Sequence, residues 1–191
     1  MQRRTSACCS SKQHAVDAVA SVNASYTPEE AEQLIVQALA PLGPDYQAVI
    51  TRAFNEVVCD YLAQELDPAS RRKTLIYCVS DSHADMVVDL LKKAFAAQYG
   101  AVEDDAVIKI TGAADKPLQL IRRYKNERLP NVAVTVDPLT TGIDVPEVVN
   151  LVFAKPVKSK VKFWQMIGRG TRLCQNLFGA GQHKTEFLIF D

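Results

Sequence analysis

From residue 73 onward, short apolar runs alternate with segments of helical periodicity, and this alternation limits the possible folds. Strands are predicted at 73–79, 106–110, 132–136, 148–154 and 186–190, with helices between most of them. Strands that alternate with helices imply crossover connections, and such connections build a parallel sheet covered on both faces. The sequence therefore predicts an α/β domain over residues 71–191.

The first 70 residues have a different pattern. Residues 1–25 are rich in Ser and Ala without a lasting period, which is typical of a flexible or weakly packed segment. Thr27, Pro28 and Glu30 then form a helix start: an N-cap, a proline at the first position and a capping-box glutamate. A second periodic segment precedes Asp67. We expect an N-terminal helical arm, partly flexible, over residues 1–70.

The segment from Gln165 to Arg172 carries the sharpest pattern in the chain. If it is helical, Gln165, Arg169 and Arg172 stand at i, i+4 and i+7 and share one stripe. The opposite side then carries Phe163, Ile167 and Thr171 toward a core. Two arginines on one stripe suit a polyphosphate, because a guanidinium is a permanently charged, planar set of donors. The alternative is a surface helix whose arginines meet only water.

Two glycines, Gly168 and Gly170, flank Arg169 in this segment. Each glycine within a helix costs roughly 1 kcal/mol relative to alanine. We therefore expect a close neighbour at these positions, either another backbone or a phosphate group.

A polar turn, residues 140–144, follows the predicted strand at 132–136. In open parallel sheets, ligands bind at the carboxyl ends of the strands. We expect this turn, the next strand and the arginine segment to form one ligand-facing edge.

The sequences of these segments are similar to motifs of a known family. TTGIDVPEVV resembles motif V, and QMIGRGTR resembles motif VI (Q-x-x-G-R-x-x-R), of superfamily 2 helicases and translocases. From about residue 72 to 191 the chain resembles the motor of the restriction (R) subunit of type I restriction-modification enzymes. The resemblance implies a RecA-like parallel sheet flanked by helices, and places this chain as the second of two motor domains.

The resemblance also implies roles for individual residues. Arg169 and Arg172 would reach the phosphates of ATP in the cleft between two motor domains, with Arg172 the preferred arginine finger. Gln165 would orient the nucleotide or couple it to the other domain. Gly142 and Asp144 would lie at the nucleotide edge, where Asp144 is a candidate for a ribose hydroxyl; the alternative for Asp144 is a turn or helix-cap carboxylate.

A second set of residues corresponds to family positions that hold the phosphates of one nucleic-acid strand. These are strand-end residues: Ser80, Thr111, Gly112, Thr135 and Thr140. Taken singly, each is typical of a helix cap or turn. Arg122 and Arg123 could add attraction, or form a solvated helix face. Phosphate contacts carry no base identity, so we expect sequence-independent binding that weakens steeply with salt.

Charge is unevenly distributed along a chain whose net charge is zero. Residues 148–185 contain no acidic side chain but several basic ones: Lys155, Lys158, Lys160, Lys162, Arg169, Arg172 and Lys184. A basic face on a neutral chain fits a nucleic-acid or phosphate surface. A solvated lysine-rich loop is the alternative.

Cysteine usage and hydropathy indicate a reduced, cytoplasmic protein. The five cysteines are an odd number, and Cys78 lies within a predicted strand. Cys8 and Cys9 with His14 match no zinc spacing, so no metal site is predicted. No apolar run approaches the ~18 residues of a membrane span, and no signal peptide is visible.

A phosphate-cradling GxxxxGK[ST] loop and a magnesium-binding acidic strand end are missing from this sequence. Residues 179–185 contain glycines, a lysine and a threonine, but they precede a strand where such a loop must follow one. By resemblance, ATP and Mg²⁺ are used by the parent protein and held mainly by its first RecA-like domain. The parent would be an ATP-dependent DNA translocase and type I deoxyribonuclease, and this chain alone would be inactive.

The expected partners are that first RecA-like domain, double-stranded DNA, and methylase and specificity subunits. Two other classes remain open. One is a non-catalytic module that binds nucleic acid or protein without a motor partner. The other is a different superfamily 2 DNA or RNA helicase. A dinucleotide-binding enzyme is disfavoured, because no GxGxxG follows the first strand.

Overall fold

The computed structural model describes residues 51–112, 114–136 and 144–191. Its helices are α1 (Arg52–Glu65), α2 (Asp81–Tyr99), α3 (Pro117–Asn126) and α4 (Lys160–Ile167), with a short 3₁₀ helix at Asp104–Ala106. Its strands are β1 (Lys73–Cys78), β2 (Val107–Lys109), β3 (Val132–Thr135), β4 (Val148–Ala154) and β5 (Leu188–Phe190). Each of these five strands lies within a range predicted from the sequence.

The five strands form one parallel sheet in the order β2-β3-β1-β4-β5. In its centre, Ile76 of β1 pairs with Val134 of β3 and with Val152 of β4. Every residue of β1, β3 and β4 is buried, as expected for parallel strands covered on both faces. The predicted RecA-like α/β architecture is confirmed.

Alternate residues of the strands enter two separate cores, one on each face of the sheet. The first core contains Leu75, Tyr77 and Leu151 and is covered by α3 and α4. The second contains Ile76 and Val152 and is covered by α1 and α2. This division follows from the two-residue period of a strand.

Helix α1 packs on the α/β domain although the sequence placed it in the N-terminal arm. Its buried side chains Cys59, Leu62 and Ala63 belong to the second core. In addition, Asn55 Oδ1 lies 3.0 Å from His83 Nε2 on α2. The capping-box helix predicted at Thr27 lies outside the described residues, so the division at residue 70 stays a prediction.

None of the described helices is long and apolar enough to cross a membrane.

Candidate functional site

Helix α4 ends earlier than the sequence predicted. Its last residue is Ile167, and Gly168 closes it. The Gly170 amide then donates to the Ile167 carbonyl at 2.8 Å, and the Thr171 hydroxyl donates to the Gly168 carbonyl at 3.2 Å. The prediction of one helical stripe is therefore wrong, because these bonds turn the chain away from the helix axis before Arg172.

The side chains of this segment divide accordingly. Phe163 and Ile167 are buried as predicted, whereas Thr171 is exposed. Gln165 is exposed on α4, Arg169 lies half-buried in the turn, and Arg172 follows the turn outside any helix or strand. We call residues 168–172 the arginine turn.

Gly170 is required by packing within the domain. A Cβ atom there would lie 2.5 Å from Cδ2 of Phe187 and 3.0 Å from Cδ1 of Leu151. The close neighbour that the sequence implied is thus a pair of core side chains rather than a backbone or a phosphate. A Cβ at Gly168 would meet only carbonyls of its own helix, the nearer being that of Trp164 at 3.2 Å.

Arg172 is paired with Asp144. Its Nε lies 3.2 Å from Asp144 Oδ1, and the two side chains are 58% and 55% exposed. The structure thus brings together the predicted motif V carboxylate and the last arginine of predicted motif VI. Gly142, also predicted at this site, lies outside the described residues.

Arg169 has a different environment. Burial raises the pKa of Tyr77, and the nearby positive charge of Arg169 opposes that rise. The Tyr77 hydroxyl itself donates to the Met166 carbonyl at 3.4 Å. Arg169 thus lies close to the first core, while Arg172 lies on the surface.

Lys184, counted with the basic face in the sequence, is buried and only 5% exposed. Its Nζ donates to the carbonyls of Pro146 at 3.2 Å, Val148 at 2.5 Å and Gly170 at 2.6 Å. Burial lowers its pKa to about 8. Lys184 therefore joins the start of β4 to the arginine turn and adds nothing to the surface charge; no local signal in the sequence distinguishes it from an exposed lysine.

These contacts place the arginine turn near the amino ends of the strands. Val148 is the first residue of β4, and Lys184 connects it directly to Gly170. The described residues of this set, Asp144 and the arginine turn, thus lie at the amino edge and not at the carboxyl edge where the sequence placed them, while residues 140–143 lie outside the described residues. Asp144 lies four residues before Val148, the first residue of β4, and its ion pair with Arg172 keeps it beside the arginine turn.

The carboxyl edge carries the residues predicted to contact nucleic acid. The Ser80 hydroxyl caps α2 by accepting from the His83 amide at 3.2 Å. Thr111 is buried, and its hydroxyl donates to Asp81 Oδ1 at 2.7 Å. Gly112 is exposed with open space around it.

Thr135 is buried at the end of β3. Thr140 lies outside the described residues. The described members of the predicted nucleic-acid set thus lie on the edge opposite to Arg172.

Acidic side chains also lie at the carboxyl edge. Lys109 Nζ is 2.8 Å from Asp81 Oδ2 and 2.6 Å from Asp85 Oδ1. Hydrogen bonds from Lys109 and Thr111 lower the pKa of Asp81. The Thr111 hydroxyl is therefore already donated to a carboxylate.

The remaining predicted basic residues have different environments, and Arg122 is exposed on α3. Lys158, Lys160 and Lys162 are exposed around the start of α4. The Lys155 amine donates to the Val136 carbonyl, and Arg123 pairs with carboxylates of its own domain, Asp105 and Glu127. The basic surface beside α4 therefore consists of Lys158, Lys160 and Lys162.

The described cysteines are all free thiols: Cys59, Cys78 and Cys174. Within 51–112, 114–136 and 144–191, no group of His, Cys, Asp and Glu side chains could hold a metal ion.

Comparison with known proteins assigns the family. Residues 55–174 match the family described as "Helicase conserved C-terminal domain". The chain belongs to this family. Its fold also matches domain 2 of the Mss116p DEAD-box helicase, with a TM-score of 0.51 and 18% identity over 76% of this chain and 50% of that one.

Within the family, this helicase C-terminal domain is similar to type I restriction enzymes. It is 48% identical to the EcoKI endonuclease subunit of Escherichia coli K12 over 149 residues. This aligned region covers 76% of this chain and 12% of that protein. A structure described as a fragment of the HsdR subunit of such an enzyme from Vibrio vulnificus YJ016 gives a TM-score of 0.58 and 28% identity, over 90% of this chain and 30% of that chain. The chain is therefore a C-terminal RecA-like domain of the superfamily 2 type found in R subunits, and it spans only a small part of such relatives.

Proposed function

We propose that this helicase C-terminal domain is the second motor domain of an ATP-dependent DNA translocase in a type I restriction enzyme R subunit. In this proposal Arg172 is the arginine finger for ATP that the first RecA-like domain binds. The observation that carries the proposal is the exposed Arg172–Asp144 pair, which juxtaposes the two family motifs at the surface.

The described residues fit a polyphosphate. A guanidinium has five N–H donors. Among the described residues, Arg172 uses its Nε in the ion pair with Asp144. The remaining donors sit on a side chain that is more than half exposed. The described residues do not fit a Mg²⁺ site, since no suitable group of carboxylates converges; in this proposal the metal belongs to the first motor domain.

Each residue at this site has a distinct proposed role. When bound, ATP supplies the phosphoryl group that is transferred to water. Arg172 and Arg169 bind and orient the phosphates, and Arg172 stabilises the charge that develops during transfer; in related NTPases such a finger is worth roughly 10³–10⁵ in rate. Asp144 holds Arg172 and accepts from a ribose hydroxyl. Gln165 orients the nucleotide or couples it to the other domain, with Gly142 beside it.

DNA would bind at the opposite edge. In the proposal Ser80, Thr111, Gly112, Thr135 and Thr140 contact the phosphates of one strand of the duplex. Because the Thr111 hydroxyl is donated to Asp81, Thr111 would contribute its backbone amide. Separate edges for nucleotide and DNA support the proposal, since a translocase must hold both at once while its two domains close and reopen.

The parent protein's other properties follow the same proposal. They are cleavage of duplex DNA by a separate nuclease domain, assembly with methylase and specificity subunits, and a cytoplasmic location. The similarity to type I endonuclease subunits supports them.

The test is nucleic-acid-dependent ATP turnover by the full-length protein that carries this sequence. Duplex DNA should stimulate turnover independently of base sequence, RNA should not, and the protein should displace a third strand from duplex DNA only when ATP is present. Stimulation should fall steeply with salt. Stimulation by RNA with strand unwinding would indicate another superfamily 2 helicase, and DNA binding without turnover would indicate a non-catalytic module.

A further inference from the structure

Lys184 is a buried cation that the proposed mechanism does not use. Its ammonium group donates to three backbone carbonyls on two segments: Pro146 and Val148 at the start of β4, and Gly170 in the arginine turn. An ammonium offers three donors and no acceptor. All three are therefore satisfied by these carbonyls.

The two segments that Lys184 joins are those that carry the exposed ion pair. Pro146 lies two residues after Asp144, and Gly170 lies two residues before Arg172. Gly170 cannot be held by a side chain of its own, and Phe187 closes the space where a Cβ would stand. Gly170 packs against Leu151 of β4, and Lys184 adds a polar bridge, with hydrogen bonds of 2.6 Å to the Gly170 carbonyl and 2.5 Å to the Val148 carbonyl.

A simple packing role does not explain a cation here. Burial disfavours the charged form, which is why the pKa of Lys184 is lowered. An apolar side chain would avoid that cost but would leave the three carbonyls without this donor. The cation is suited to a place where backbone carbonyls from two segments must be held at fixed separation.

We propose that Lys184 is a positioning residue that fixes the arginine turn relative to the start of β4 and so orients Arg172 toward Asp144 and the nucleotide. The inference rests on the proposed function for the role of Arg172, although the positioning itself can be measured without nucleotide.

The chain offers a matched control in Lys73. This lysine is also buried, at 2% exposure, and burial likewise lowers its pKa. Its Nζ donates to the carbonyls of Glu127 at 2.8 Å and Pro130 at 3.1 Å. Lys73 Nζ also lies 4.0 Å from the carboxylate of Glu147, just before β4. Lys73→Met therefore removes a buried lysine from the amino edge and from the segment before β4, without removing a hydrogen bond to the arginine turn.

The first measurement is hydrogen exchange of the full-length protein without nucleotide. Lys184→Met should raise exchange across residues 168–174 by about tenfold, the order expected from losing a backbone-fixing hydrogen bond. Lys73→Met should raise exchange across residues 127–131 and leave residues 168–174 unchanged. Unchanged exchange at 168–174 in Lys184→Met, or an equal rise there in Lys73→Met, would overturn the proposal.

A second variant, Lys184→Arg, keeps the charge and the donors but not the compact ammonium. It should raise exchange at 168–174 less than Lys184→Met does. If both variants instead unfold the whole domain while Lys73→Met does not, Lys184 is a general core residue and the positioning role is refuted.

The second measurement is a double-mutant cycle with Arg172→Ala. Lys184→Met should lower kcat for ATP by about 10- to 100-fold, as expected for a displaced catalytic group, with KM changed less. In the Arg172→Ala background it should lower kcat no further, whereas Lys73→Met should have the same small effect in both backgrounds. Additive losses for Lys184→Met would overturn the positioning role. Normal turnover by Arg172→Ala alone would refute the proposed function instead, and the exchange result would then decide on Lys184.

Discussion

The Nε of Arg172 lies 3.2 Å from Oδ1 of Asp144, and more than half of each side chain faces solvent. This pair connects residues that lie far apart in the sequence, one preceding β4 and one following α4. An exposed pair of this kind contributes little to folding. Under the proposed function, the pair instead holds Arg172 beside the nucleotide.

Removing the pair should barely change stability. For Asp144→Ala we expect the free energy of unfolding to fall by less than about 1 kcal/mol, the range of exposed ion pairs. Urea denaturation of the variant and the wild type measures this difference. A loss of several kcal/mol would show that the pair holds the fold together, and activity data on either residue would then need correction for unfolding.

Gly170→Ala should destabilise the domain by about 1–3 kcal/mol, because the new methyl group would overlap Phe187 and Leu151. Gly112→Ala is the matched control, since nothing lies within 4 Å of the added Cβ. Thermal unfolding of both variants tests the difference. Adding Phe187→Leu should recover part of the loss; equal stability of the two alanine variants would contradict the packing argument.

The His83–Asn55 contact predicts a loss of stability in mild acid. His83 Nδ1 accepts from the Val79 amide at 3.2 Å, so the buried ring is neutral, and Nε2 faces Asn55 Oδ1. Burial lowers the pKa of His83 below its ordinary value of 6.5. The unfolded chain therefore binds the proton more readily, and stability should fall as pH drops through about 6.5.

Unfolding free energies between pH 7.5 and pH 5 measure this effect. His83→Gln should be less stable than the wild type at pH 7.5 but should lose less on acidification. An equally steep loss in His83→Gln would assign the acid sensitivity to other groups.

If the carboxyl edge holds DNA phosphates, Asp85 weakens that binding by its charge and by pairing with Lys109 at 2.6 Å. Asp85→Asn should tighten binding of the full-length protein to duplex DNA by roughly two- to fivefold at low salt. The gain should disappear at high salt, where exposed charges are screened. The control is Glu103→Gln, which removes an exposed carboxylate before β2, at the amino edge. It should not tighten DNA binding. Equal gains in both variants would indicate only a change in net charge.

Much of the fold follows from the sequence because each strand is a compact apolar run. The runs that became β1, β3 and β4 are buried throughout, so local composition and tertiary position agree. The end of α4 was predicted incorrectly. The helical spacing of the sequence continues through Arg172, but the helix ends at Ile167. The chain turns there, and Gly170 packs against Phe187.

The site was predictable only in part. The resemblance to family motifs identified Asp144 and Arg172 separately. Their contact depends on the tertiary structure, which places the segment before β4 beside the arginine turn. Asp144 and Arg172 lie at the amino edge, whereas chain order after β3 placed them at the carboxyl edge. Lys184 was missed as a buried residue, since only the tertiary structure shows the three carbonyls around it.

The most direct test of the central claim is single-turnover ATP hydrolysis by the full-length protein with duplex DNA and saturating ATP. Arg52→Ala is the control: Arg52 forms an ion pair with Glu56 at 2.9 Å, with the two side chains 59% and 49% exposed, much like Arg172 and Asp144. We predict that Arg172→Ala lowers the rate of hydrolysis by roughly 10³-fold or more, while Arg52→Ala hydrolyses ATP at the wild-type rate. Near-normal, DNA-stimulated hydrolysis by Arg172→Ala would contradict the account.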